Sequence, residues 1–166
     1  NDSKIEFIKN VVIKMPGKHN IRNALASIAL ALELGIKKSI IKKTLLSFKG
    51  VERRFSKIGN IKGVTYIDDY AHHPTEIISV LEAAKSICDG KLIAIFEPHR
   101  YSRILNLFEE FSLSFHDADI LFVTDIYAAG EKNLTEITAS KIVNSIISAG
   151  HKDVRKLDSF HNFIGT

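Results

Sequence analysis

Apolar positions in this chain follow two rhythms. From residue 21, Ala24, Leu25, Ile28, Ala29, Leu32 and Leu34 recur at three- and four-residue spacing, which predicts a helix with a wide apolar face. Asn20 stands where an N-cap belongs, and Gly35 where a left-handed cap would end the helix. A second helix is predicted over 38–48. Ahead of them, residues 4–15 alternate through Ile5, Phe7, Val11 and Ile13, which reads as one strand or a short hairpin stopped by Pro16 and Gly17. Past residue 53 strands and helices take turns, with strands predicted at 54–61, 64–69, 91–97, 119–125 and 153–157 and helices at 74–87, 103–115 and 134–148. Pro74 suits a first helical turn because its missing N–H would have no intrahelical partner there. The expected fold class is α/β, a Rossmann-like doubly wound, mostly parallel sheet. One strand and two helices cannot enclose a core, so residues 1–50 read as the tail of a domain whose body lies elsewhere. Lys49-Gly50 would be the hinge into residues 51–166. The last residues, SFHNFIGT, do not complete another strand and helix, so the sheet is expected to lack its last element.

Composition narrows this only slightly. With 166 residues, 45% of them apolar, the chain can bury a real core, and one domain plus a fragment of another fits as well as a single domain. A formal charge of +4 from scattered lysines argues against nucleic acid as a partner. Cys88 is alone, which excludes a disulfide framework and a CxxC metal signature; its apolar neighbours suggest a buried structural thiol. No stretch has the length of an apolar membrane span and NDSKIEF is not a signal peptide, so a cytosolic chain is expected.

Candidate chemistry gathers after three successive strands: DDYAHHP at 68–74, PHRYSR at 98–103 and DIYAAGE at 125–131. The helix-to-strand returns, such as Asp89-Gly90 and His116-Asp117, are bland. All the candidate chemistry is thereby assigned to the carboxyl edge of the sheet, where open α/β sheets bind ligands. Arg100 and Arg103, near a predicted helix N-terminus, suit a carboxylate or phosphate; alternatively they bridge to Glu109 or Glu110 on the surface. His72, His73 and His99 with Asp68 and Asp69 could in principle hold a metal. Adjacent histidines point apart, however, so hydrogen-bonding roles are favoured, with one of the pair capping the helix at Pro74, and no metal site is expected. GKHNIRN is not a phosphate loop, because Val12 and His19 occupy the positions that need Gly and Ser or Thr. Asn20 and Asn23, one turn apart, could face a base or ribose, or merely cap. Arg53 and Arg54 could reach phosphates at the hinge, or belong to a solvated linker. Ala128-Ala129-Gly130 allows close backbone approach or simply a tight loop. His116, His151 and His161 have no companions and read as ordinary surface or packing positions.

Taken together, HNIRNALA, GVERRF, IDDYAHHPTE, EPHRYSR and TDIYAAGE resemble, in order and approximate spacing, the Mur ligase family. HNxxN and Arg54 are similar across that family; HHP and PHRYSR point to its alanine-adding branch. The resemblance implies a three-domain, ATP- and Mg2+-dependent ligase of bacterial cytoplasm that makes a peptidoglycan precursor. It would phosphorylate the carboxylate of UDP-N-acetylmuramate and let the amino group of L-alanine attack the acyl phosphate. Residues 1–50 would then be the C-terminal remnant of a truncated central ATP-binding domain, and 51–166 the C-terminal ligase domain. On that model Asn20 and Asn23 lie near the adenine, Arg54 near the phosphates and Asp69 near the ribose. Tyr70, His72, His99, Arg100 and Arg103 surround the alanine, the last four as catalytic groups. A neutral attacking amine and an anionic intermediate are what histidines and an arginine pair can serve. The chain departs from the family in lacking a P-loop, the magnesium-binding Glu and His, and a UDP-sugar domain. Alone it is therefore expected neither to bind ATP tightly nor to turn over. The contrasting expectations are a non-catalytic nucleotide or amino-acid binding module and a small metal-dependent hydrolase.

Overall fold

The computed structural model of the chain describes residues 7–133 and 136–157. Gly17, at φ 98°, turns the backbone directly into α1 (Lys18–Glu33). Because glycine reaches this angle without strain, the helix begins ahead of the predicted start and needs no side-chain cap. Asn20 is therefore not the N-cap but sits in the first turn, where its Nδ2 donates to the Pro16 carbonyl at 2.7 Å. At the other end Gly35 takes φ 73°. Its N–H donates to the Leu32 carbonyl and that of Ile36 to the Ala31 carbonyl, both at 2.9 Å, the paired bonds of a left-handed C-terminal cap. Helix α2 (Lys38–Ser47) follows, and much of the apolar surface of the pair, including Leu25, Leu30 and Leu34, is exposed. Over the described part of 4–15 no strand forms. Alternation supplies suitable side chains, but a strand also needs a neighbour for its backbone, and the described strands pair elsewhere.

Strands β1 (Ser56–Ile61) and β2 (Val64–Asp68) form an antiparallel hairpin. Their two-residue connection, Lys62-Gly63, has φ of 50° and 85°, the twist-matched geometry of tight hairpins. The expectation that DDYAHHP leaves the carboxyl edge of the same sheet as the other two strings is thus corrected: the strand before it pairs back on its predecessor in a separate two-stranded sheet, because the turn is too short for a crossover.

The chain divides into two compact units between Tyr70 and Ala71. In the second, α3 (Pro74–Ile87) has the predicted bounds, with Pro74 in its first turn. The parallel sheet has order β3 (Ile93–Phe96), β4 (Ile120–Val123), β5 (Val154–Lys156) among the described residues. Ile93 pairs with Ile120 and Leu121 with Val154. Its core is Phe96, Ile104, Phe111, Phe115, Leu121, Val123, Ile142 and Ile146, with the Phe96 ring 5.7 Å from that of Phe111 and 5.0 Å from that of Phe115.

The helix predicted over 103–115 is two short ones, α4 (Tyr101–Asn106) and α5 (Phe108–Ser112), because Leu107 leaves helical angles at φ −125°, ψ 29°. Ile104 and Phe111, on either side of the break, lie in one core. Helix α6 (Ala139–Ser148) starts later than predicted, where Thr138 caps it by accepting the Lys141 N–H at 3.2 Å; residues 134 and 135 lie outside the described residues. Ser112 and Ser145 bring their hydroxyls together between α5 and α6. Cys88 is half-buried rather than a core thiol, because it is the C-cap of α3 and follows its last buried turn. His151 is a packing position, buried with Nδ1 accepting the Asp153 N–H at 3.2 Å, whereas His161 lies outside the described residues. No helix among the described residues is long and apolar enough to cross a membrane.

Candidate active site

Beyond the ends of β3 and β4 the chain continues as two segments stitched side by side. Tyr127 N–H donates to the Pro98 carbonyl at 2.8 Å and Arg100 N–H to the Tyr127 carbonyl at 2.9 Å, so His99 and Tyr127 form a parallel bridge. Parallel pairing has thus carried PHRYSR and DIYAAGE to the same place. The His99 ring lies against that of Tyr127, centroids 5.0 Å apart, and its buried Nδ1 has no hydrogen-bond partner. Loss of hydration lowers the His99 pKa from 6.5, and the charges of Arg103, Arg100 and His72 add to the effect against the opposing pull of Glu97. These effects favour the neutral form of the ring.

Arg103 Nη1 donates to the His99 carbonyl at 3.3 Å, while the half-exposed Arg100 guanidinium is 4.0 Å from the Glu131 carboxylate. Arg100 is held at φ 71°, ψ 127°, a conformation costly to a residue with a Cβ and typical of residues over-determined by their surroundings. Glu131 also accepts the Ser102 N–H at 3.0 Å and the Ser102 hydroxyl at 2.7 Å. Two expectations change here. The acidic partner of Arg100 is Glu131, not Glu109 or Glu110, and the N-terminus of α4 already carries a carboxylate of the chain itself.

The two adjacent histidines separate in role. His73 caps α3, its Nδ1 accepting the Thr75 N–H at 3.4 Å and its own N–H donating to Glu76 at 3.2 Å. His72, half-buried, has Nδ1 3.6 Å from Glu76 and is the histidine whose charge is felt at His99. In the first unit, Asn20 is tied to Pro16 and Asn23 is exposed one turn along α1. Arg54 is exposed, and Asp69 Oδ2 accepts the Phe55 N–H at 2.7 Å. Tyr70 lies under the Arg53 guanidinium, 4.8 Å from its ring centroid, and Arg53 also reaches Asp68 at 3.5 Å. Among the described residues no three His, Cys, Asp or Glu side chains gather as a metal site would require.

Ser102, Tyr127 and Glu131 were not singled out from the sequence, although two lie in the third polar string. The available signal was that this string and PHRYSR follow neighbouring strands of a parallel sheet. The His99 titration provides a direct check. In this chain its NMR midpoint is expected below 6.5, and Arg103→Ala should move it upward by removing a nearby cation. A midpoint at or above 6.5 would contradict the desolvation of the ring and the pull of its cationic neighbours.

Residues 53–165 match the family model described as Mur ligase, glutamate ligase domain. The chain is 49% identical over 157 residues to the UDP-N-acetylmuramate–L-alanine ligase of Bartonella henselae, an alignment covering 95% of the chain and 33% of that relative. It is 48% identical to the same ligase of Agrobacterium fabrum, over 93% of the chain and 33% of the relative. Among solved structures, the UDP-N-acetylmuramate–alanine ligase of Thermotoga maritima superimposes with a TM-score of 0.73 at 34% identity, covering 90% of this chain and 31% of that one. The chain spans about a third of the length of these relatives.

Proposed function

Since this chain belongs to the Mur ligase family, we propose that it is the part of an ATP-dependent ligase that receives L-alanine for addition to UDP-N-acetylmuramate. The supporting observation is the placement of His99, Arg100 and Arg103 together just beyond β3, on the segment bridged to Tyr127, with the Arg103 guanidinium on the His99 carbonyl and the Arg100 guanidinium half-exposed. On this reading residues 1–50 complete an ATP-binding domain and 51–166 form the ligase domain. The reaction belongs to the bacterial cytoplasm, in the synthesis of a peptidoglycan precursor.

The muramoyl carboxylate takes the terminal phosphoryl group of ATP, leaving ADP. The alanine nitrogen then bonds to the acyl carbon, the carbonyl electrons move onto oxygen, and their return expels phosphate and leaves the amide. The nitrogen must be neutral to attack. His99, itself neutral, accepts a hydrogen bond from the amine and takes up the proton released as the C–N bond forms. The Arg100 and Arg103 guanidinium groups orient the alanine carboxylate and oppose the charge on the tetrahedral oxygen. His72 adds a second hydrogen-bonding imidazole, and Tyr70 a contact to the amino acid. Asn20 and Asn23 would hold the adenine, Arg54 the phosphates and Asp69 the ribose. Mg2+ would accompany the ATP, with its protein ligands assigned to the rest of the enzyme.

The test is a chimaera in which this chain replaces the stretch of the Bartonella henselae ligase that it matches. ATP- and L-alanine-dependent ligation of UDP-N-acetylmuramate, followed by ADP release, is expected from the chimaera and not from this chain alone. A folded chimaera that binds its substrates without ligating them would overturn the proposal in favour of a binding module.

A further inference from the structure

We infer that Glu131 is a positioning residue that sets the direction of the Arg100 guanidinium and so tunes recognition of the amino-acid carboxylate. The inference rests on the alanine-binding reading above. It starts from how Glu131 spends its two oxygens. Oε2 accepts the Ser102 backbone N–H at 3.0 Å, and Oε1 accepts the Ser102 hydroxyl at 2.7 Å while standing 4.0 Å from Arg100 Nη1. A carboxylate gripped on both oxygens by one residue has little freedom. Its own main chain is tied as well, Glu131 N–H donating to the Ala128 carbonyl at 3.0 Å.

Arg100 by contrast is half-exposed, and a long exposed side chain samples many rotamers unless something fixes it. Its main chain is fixed by the Tyr127 carbonyl, and Glu131 lies on the same returning segment, four residues further on. One segment thus holds the Arg100 backbone at one point and faces its guanidinium at another. With one edge of the planar fork directed at Glu131, the remaining N–H donors are left for an incoming carboxylate, whose bidentate geometry they match. Hydrogen bonds from Ser102, and after them the charge of Arg100, hold the Glu131 carboxyl below the usual carboxylate range, so the group stays anionic throughout the working pH of such a site.

The chimaera provides the test, through kcat and KM for L-alanine and for ATP in Glu131→Gln, Arg100→Ala and the double variant. Glutamine retains an acceptor for Ser102 but removes the charge facing Arg100. Glu131→Gln is expected to raise the KM for L-alanine about five- to tenfold, leave kcat and the ATP KM within about twofold, and add nothing further once Arg100 is alanine. An unchanged alanine KM, or an equal effect with and without Arg100, would overturn the inference and reduce Glu131 to a cap on α4. An Arg100→Ala variant with wild-type kinetics would instead sink the underlying reading of the site, so the two failures are distinguishable. If Glu131→Gln does not fold, Glu131→Asp takes its place. It keeps the charge but withdraws it by one methylene, and should raise the same KM; a wild-type KM there also overturns the inference.

Discussion

Arg100→Ala, in a ligase carrying this chain, is expected to lower kcat/KM for L-alanine by about a hundredfold, roughly 2.7 kcal/mol of transition-state stabilisation. The fold should lose much less. The Arg100 pair with Glu131 is long, at 4.0 Å, and half-exposed on the arginine side, and surface pairs of that kind contribute about 0–1 kcal/mol. Alanine also keeps a Cβ, so the backbone at φ 71° carries the same strain before and after the substitution. A large kinetic effect with a small thermal one therefore reports the ligand rather than the scaffold. Arg100→Lys sharpens the reading, because it restores a positive charge without the planar fork. Partial recovery is expected if charge alone serves the tetrahedral oxygen, and little recovery if the fork reads the carboxylate. Full activity in Arg100→Ala would make the cluster scaffolding.

How much of this could be read from residue order depends on how local the cause is. Helix α3 could be bounded from the sequence because Pro74 and the helical spacing of Ile77, Leu81 and Ala84 are local signals, and because His73 was an available cap. The three parallel strands were legible for the same reason, as short apolar runs between helices. The partner of β2 was not, since pairing is decided by the Lys62-Gly63 turn and not by the strand itself. The start of α1 was misplaced because a glycine at positive φ did the work assigned to Asn20. At the site, the strings PHRYSR and DIYAAGE marked the region, but their side-by-side bonding through Pro98, Arg100 and Tyr127 is tertiary. Nothing in residue order says that Glu131, rather than Glu109 or Glu110, faces Arg100. Asn20, Asn23, Arg54, Asp69 and Tyr70 fall in the first compact unit and His72, His99, Arg100 and Arg103 in the second. The nucleotide-facing and amino-acid-facing roles proposed for them divide at nearly the same point, with Tyr70 alone crossing it.

The largest expected effect on stability is at Phe111. Its side chain is 1% exposed and packs tilted against Phe96, in the cluster that joins β3 to α5 and α6. Phe111→Ala is expected to cost about 3–5 kcal/mol, from the lost burial of the ring and the cavity left behind. Helix α5 is only five residues long, and a helix of that length persists only through tertiary contacts such as this one. Small domains have about 5–15 kcal/mol in total, so the variant should sit near the edge of folding, with a urea midpoint well below that of the parent chain. Leu113→Ala provides the comparison, two residues on but 54% exposed, with an expected change within about 0.5 kcal/mol. Equal midpoints for the two variants would contradict the packing. The consequence reaches the site through sequence: α4, which carries Arg103, is joined to α5 by Leu107 alone, and its Ile104 is fully buried in the same cluster as Phe111. Loosening that cluster should therefore weaken alanine recognition as well, through the placement of Arg103 and without touching the ligand.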